Sequence, residues 1–264
     1  MKKIVAIGGG ENGRKISDGV FKPYETEPMD KEIISLTGKE NPNFLFLAHS
    51  QARSIPIQES YYLTMKKIYG EKFSCNCRML KSDELDNKEK VNEYVKWADI
   101  IYEGGGDTLT MIKLWRDHGF DKILKEAWNY GKVICGVSAG AICWFDSCNS
   151  DSIIIQKGQN NPLISVDCLG WINLHITPHC DEIGREETTK QQLQENKKTG
   201  LMLSNCSAIE IIDDKYRIIF SEVLEHNIDE PYAYKAYWDN DTFVKERLEA
   251  SNEYYPLSSL LLKK

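Results

Sequence analysis

Val133-Ile134-Cys135-Gly136-Val137-Ser138-Ala139-Gly140-Ala141-Ile142 is the stretch that decides the fold. A short, continuous apolar run reads as a strand buried on both faces. It leads through Gly-Val-Ser-Ala-Gly into a run of small residues suited to a helix start. The turn between them has the pattern of a nucleophile elbow, a strained strand-to-helix bend that lifts a serine hydroxyl out of a sheet. Side chains at 136 and 140 would collide with the neighbouring strand and helix, so both positions call for glycine. The N–H of Ala139 opens the helix and points where an oxyanion would form.

Apolar runs and helical patterns alternate through the first half, as in a parallel sheet covered by helices. The strands expected are Lys3–Ile7, Phe44–Ala48, Lys72–Met79, Asp99–Tyr102 and Lys132–Gly136. Helical periodicity marks Ile57–Tyr69, Lys88–Trp97, Thr108–His118 and Lys122–Tyr130, with apolar residues three or four apart, such as Val91, Tyr94, Val95 and Ala98. The second half is less regular. Ile153–Ile155, Leu169–Ile176 and Leu201–Ile212 read as strands, Gly184–Lys198 as a polar helix, and the alternating tail as antiparallel strands at the sheet edge. No linker divides the chain, so residues 1–264 read as one α/β domain.

Composition bounds the function. The 264 residues are 41% hydrophobic and carry 33 Lys+Arg against 40 Asp+Glu, a net charge of -7. Such a surface repels phosphate backbones and anionic membranes, and the basic pairs (Lys2-Lys3, Lys66-Lys67, Lys197-Lys198, Lys263-Lys264) are too scattered to override it. No nucleic-acid or membrane partner is expected. The longest uncharged stretch, Val133 to Phe145, is short of a bilayer span, and the four apolar residues near the start are short of a signal-peptide core. A cytoplasmic protein with eight reduced cysteines is the expectation. Cys75-Asn76-Cys77 is too tightly spaced for a zinc pair and no second pair comes after it, so neither metal nor cofactor is expected.

Two further glycine turns precede the elbow in the sequence. Gly8-Gly9-Gly10-Glu11-Asn12-Gly13 matches G-x-G-x-x-G, but a dinucleotide site needs a helix opening there. The residues after Gly13 have little apolar periodicity and include two prolines, Pro23 and Pro28, so a tight turn is the better reading. Glu103-Gly104-Gly105-Gly106-Asp107-Thr108 precedes an amphipathic helix. It fits either a close approach of backbone to a ligand or a plain turn capped by Asp107 or Thr108.

A serine nucleophile needs a base, and the base a fixed tautomer. Among five histidines, His118 ends a charged helix, His175 lies mid-strand, and His49 ends the second strand near the ligand-binding edge. His179 comes after Thr177-Pro178 at a strand end and opens an acidic loop, so it can reach the elbow; His226 is the reserve. For the acid, Asp151 leads out of the elbow helix into an apolar run and is preferred over Asp146.

The order Gly104-Gly105-Gly106-Asp107-Thr108, Gly136-Val137-Ser138-Ala139-Gly140-Ala141, Thr177-Pro178-His179 resembles peptidase family S51, which includes aspartyl dipeptidases and cyanophycinases. The resemblance runs from the first strand to about Lys198. It implies a class I glutamine amidotransferase-like fold, a flavodoxin-like three-layer sandwich of a mostly parallel sheet with helices on both faces. It implies a Ser138–His179–Asp151 triad and an oxyanion hole from Ala139 with Gly106 or Asp107. It also implies substrate contacts from Arg185, closer to the histidine than in the dipeptidases, and from Thr108. The expected activity is release of an N-terminal Asp from a dipeptide or short peptide, by a chain for which a homodimer is allowed. Two rivals remain: an esterase of the α/β-hydrolase type using His226 with Asp213 or Asp214, and a binding protein that has lost turnover.

Overall fold

The computed structural model describes residues 1–261, so the basic pair Lys263-Lys264 lies outside the described residues. Eight strands form the main sheet in the order Tyr255–Pro256, Lys215–Phe220, Ser207–Ile212, Lys3–Ile7, Val133–Val137, Ile100–Glu103, Asn43–Leu47, Asn76–Leu80. From Lys3–Ile7 to Asn76–Leu80 the five neighbours are parallel, and the strands from Ser207 onward add antiparallel pairs.

The strand Lys3–Ile7 shows why both faces are covered. Ile4 and Ala6 pack into one apolar cluster, with Trp115, Leu124 and Trp144, while Val5 and Ile7 pack into another, with Met29, Phe46 and Tyr69. Alternating side chains point to opposite faces of a strand, so a strand apolar at every position needs a layer on each side. Helices Lys88–Trp97, Thr108–His118 and Phe120–Asn129 supply one layer; Glu27–Ser35 and Ile55–Met65 contribute to the other.

The second half departs from expectation in three places. The tail strands Ala233–Asp239 and Thr242–Leu248 do not extend the main sheet. They belong to a second, six-stranded sheet with Gly200–Leu203, Ile172–Thr177, Phe145–Ser150 and Ile164–Asp167. The apolar run Leu201–Ile212 is two strands, Gly200–Leu203 in the second sheet and Ser207–Ile212 in the main one, joined by Ser204-Asn205-Cys206. Ile153–Ile155 lies in a helix, Ser152–Lys157. Its β-branched run suggested a strand, but Ser150 Oγ accepts from Ser152 N–H at 3.2 Å and Ser152 Oγ accepts from Leu109 N–H at 3.0 Å, which fixes a turn there. A smaller shift puts the third parallel strand in the chain at Asn76–Leu80, because the preceding helix continues through Lys66–Lys72.

No helix among the described residues is long and apolar enough to cross a membrane.

Candidate active site

Ser138 sits at the turn from Val133–Val137 into the short helix Ala139–Ile142, with φ 53° and ψ -117°. That conformation is strained for a residue with a side chain, at a cost of about 1–3 kcal/mol, and it holds only where the surroundings enforce it. They do so from three sides. Ser138 N–H donates to Ile7 O at 3.0 Å. A Cβ on Gly136 would lie 2.4 Å from Glu103 O and 2.5 Å from Gly140 O, and one on Gly140 would lie 2.0 Å from Glu103 O. Backbone therefore occupies the space that side chains at 136 and 140 would need. Beneath the bend, burial pushes the Glu103 carboxyl up to about 8, although His49 and Ser50 N–H both donate to it.

The glycine turn after Ile100–Glu103 lies against the serine. A Cβ on Gly105 would be 3.4 Å from Ser138 Cβ and 3.9 Å from its Oγ. Gly105 N–H makes a long contact of 3.4 Å to Tyr61 Oη. Asp107 N–H donates to Ser50 O at 2.9 Å, and its side chain caps Thr108–His118 through Thr110 N–H. Asp107 is thus committed to structure, and Ala139 carries the first N–H of the helix that opens after the bend. Gly106 has φ 150°, and a Cβ there would strike Ser50 O at 2.6 Å. Thr108, expected to touch substrate, is only 1% exposed at the helix start.

His179 lies just past Ile172–Thr177 and reaches the same edge of the main sheet. Its N–H donates to Gly8 O at 3.1 Å, immediately beyond the strand whose last residue, Ile7, binds Ser138 N–H. His179 has φ 47°. Its Nδ1 is 2.8 Å from Asn205 Oδ1. Asn205 is buried, and Asp181 accepts from both its backbone N–H (2.7 Å) and its Nδ2 (2.8 Å). A carboxylate only accepts, so the amide nitrogen must face Asp181 and the carbonyl oxygen must face the imidazole. This fixes the proton on Nδ1 and leaves Nε2 as the basic nitrogen.

Asp151 does not fill that position. It is at the start of Ser152–Lys157, and its carboxylate pairs with Arg185 at 3.1 Å. Arg185 is itself 3% exposed, with its guanidinium also 3.5 Å from Glu182 and from Asn149 O, so the two residues are committed to each other. Asp146, the second choice, lies in Phe145–Ser150 and pairs with Lys198. Glu182 is the nearest carboxylate paired with His179, at 3.8 Å, but it is half exposed and too far for a hydrogen bond.

The other histidines separate cleanly. His49 is fully buried, donating from Nε2 to Leu80 O and accepting from Trp115 Nε1 at Nδ1, and burial pushes it down to about 4. It is a core residue and does not line a cleft. His175 is likewise buried, against Ser147. His118 bonds Leu114 O at its helix end. His226 pairs with Glu25 at 3.0 Å. Asp213 accepts from Lys2 N–H, at the end of the first strand opposite the elbow, so the His226–Asp213 pairing of an esterase is not assembled.

Sequence reasoning missed Asn205 and Asp181. A signal existed: the polar run Ser204-Asn205-Cys206-Ser207 interrupts an otherwise apolar stretch. Beside the elbow, a cavity of about 560 Å³ is lined by Val137, Tyr61, Tyr102, Pro56, Asn12 and Arg14 among others.

The chain is similar to proteins that carry peptidase names. It is 30% identical over 217 residues to the uncharacterized peptidase YgaJ of Bacillus subtilis (strain 168), covering 81% of this chain and 85% of the relative. In fold it is similar to a peptidase from an acI-B1 actinobacterium, with a TM-score of 0.66 at 16% identity and 97% of both chains covered. It is also similar to a Listeria monocytogenes EGD-e protein assigned as peptidase E, with a TM-score of 0.58 at 17% identity, covering 84% of this chain and all of that one. The family model of peptidase family S51 matches residues 16–219, and the chain belongs to that family.

Proposed function

We propose that this peptidase is of the serine type and hydrolyses short peptides through an acyl-enzyme on Ser138. His179 Nε2 takes the hydroxyl proton as Oγ attacks the scissile carbonyl, then returns it to the leaving amine. Asn205 holds the imidazole tautomer. Ala139 and Gly106 N–H groups stabilise the oxyanion, and one such donor is typically worth about 3–4 kcal/mol. A water activated by the same imidazole then releases the acyl group. The observation that carries this reading is the strained φ/ψ of Ser138, enforced by backbone contacts that exclude a Cβ at both flanking glycines.

Substrate preference is set by the cavity wall. Arg14 and Lys15 line it against Glu11, two cations to one anion, so an acidic side chain is favoured there. Both cations are about half exposed and already paired, Arg14 with Glu11 and Lys15 with Asp18. An exposed pair contributes at most about 1 kcal/mol, so Asp-Leu should be preferred over Ala-Leu by no more than about five-fold. Arg185, buried on Asp151, takes no part. Cleavage of the two dipeptides by the intact protein, with Ser138→Ala as control, tests both halves of this reading. Cleavage that survives Ser138→Ala overturns the serine mechanism; strict rejection of Ala-Leu overturns the assignment of specificity to Arg14 and Lys15.

A further inference from the structure

We propose that Glu25, Cys206 and His226 form a binding site for one divalent ion of the zinc class. Their ligand atoms (a carboxylate oxygen, Sγ and an imidazole nitrogen) all lie within 4.8 Å of one another. His226 Nε2 approaches Glu25 Oε2 to 3.0 Å, yet this buried nitrogen has no hydrogen-bond partner. Two groups that lie this close without the alignment of a hydrogen bond suit a shared third atom.

The chain holds each ligand from behind. Glu25, whose side chain is fully buried, accepts backbone N–H groups from Glu11 (2.8 Å), Leu224 (2.7 Å) and Glu225 (3.0 Å). Such outer contacts aim a carboxylate and are typical of metal ligands. Cys206, at φ 60°, donates its N–H to Gly9 O at 3.1 Å and accepts Ser221 N–H at 2.9 Å. His226 also lines an open surface cavity with Asn227, Asp229 and Arg247, which gives an ion a path inward.

The donor set selects the ion. Thiolate with imidazole favours zinc over magnesium or calcium, which take oxygen ligands. Three protein ligands would leave one position of a tetrahedron open. Without an ion, burial and the Glu25 carboxylate push the Cys206 thiol up to about 12. An ion would reverse this by displacing the thiol proton to solvent, and the two anionic ligands would then balance its charge. The site adjoins, in the sequence, the residue that holds the proposed base, since Cys206 comes after Asn205.

Equilibrium dialysis of the reduced, intact chain against micromolar Zn²⁺, then metal analysis, tests the site. One bound equivalent is expected. With Co²⁺ as an optical probe, a near-ultraviolet thiolate-to-metal band is expected, absent in Cys206→Ser. His226→Ala should weaken binding by at least about 100-fold, since losing outer contacts alone costs 10–100-fold. No retained zinc in the intact chain overturns the proposal, as does a cobalt band or affinity unchanged by Cys206→Ser or His226→Ala.

Discussion

Gly9→Ala is the substitution that most directly tests how the base is held. A Cβ at Gly9 would stand 2.1 Å from Asn205 Oδ1, 2.3 Å from His179 Nδ1 and 2.4 Å from its Cε1. Gly9 φ is not in the left-handed region, so alanine adds no backbone strain of that kind and the effect falls on those two side chains. The backbone cannot easily retreat instead: Gly9 O accepts Cys206 N–H, and Gly8 lies against Leu203 and Ser204, where a Cβ would meet both at 2.6 Å. To regain ordinary contact the imidazole must recede by roughly 1 Å, and a displacement of that size can cost about 100-fold in rate, near 2.7 kcal/mol. Asn205 cannot follow freely, because Asp181 holds it at two points. The readout is the rate at which a fluorophosphonate labels Ser138, which needs no knowledge of the natural peptide. Thermal unfolding run alongside separates a displaced base from a damaged fold. Labelling of folded Gly9→Ala at the wild-type rate would refute the placement of His179 as base.

Asn205→Ala should slow labelling by on the order of 10²–10⁴, the usual worth of positioned general-base catalysis, whereas Asp151→Ala should leave it near wild type and lower stability by about 3 kcal/mol, because the buried Arg185 guanidinium loses its partner. Labelling kinetics and thermal melts of the two variants check this, and the reverse pattern would restore Asp151 as the orienting acid. Gly140→Ala should fail to yield folded protein or lose more than about 3 kcal/mol, because its Cβ would meet Glu103 O at 2.0 Å; soluble expression and melting report it. His49, at about 4 in the folded chain against an ordinary 6.5, binds fewer protons folded than unfolded between those values. Its contribution is therefore full above pH 6.5 and lost as pH falls through 4, about 3 kcal/mol in all; an imidazole NMR signal charging at pH 6.5 would contradict it.

Much of the first half was legible because the central parallel strands are largely apolar on both faces and helices such as Lys88–Trp97 keep a regular apolar period. Lys88–Trp97 and Thr108–His118 fall where periodicity placed them, bounded by Asn87 and Asp107 as caps. The elbow was legible for a different reason: its conformation demands particular residues at 136 and 140. The second half was not, because its elements are chosen by contacts distant in sequence. Nothing local says that Gly200–Leu203 and Ser207–Ile212 join different sheets, or that Ser152 is fixed by the Leu109 N–H. The orienting residue was hidden by the same fact. It lies in the short crossing between sheets, and a search confined to carboxylates passed over an amide.

An amide beside the base is chemically sufficient only if its orientation is controlled. Turned the other way, Asn205 would present N–H to Nδ1, force the proton onto Nε2, and remove the lone pair that must accept from serine. Replacing the acid of a serine triad by an amide that imposes this wrong tautomer costs about 10⁴ in rate. Asp181 prevents it, since its two oxygens take both N–H groups of Asn205 and can accept nothing else from that residue but N–H. The carboxylate expected next to the imidazole is therefore present one residue further back, acting through the amide. Asp181→Ala should leave Asn205 free to turn and so slow labelling of Ser138. Asp181→Asn should slow it too, because an amide there can present N–H as readily as C=O and no longer dictates the orientation. If both variants label at the wild-type rate while Asn205→Ala does not, the amide is held by the fold alone and Asp181 has no part in positioning the base.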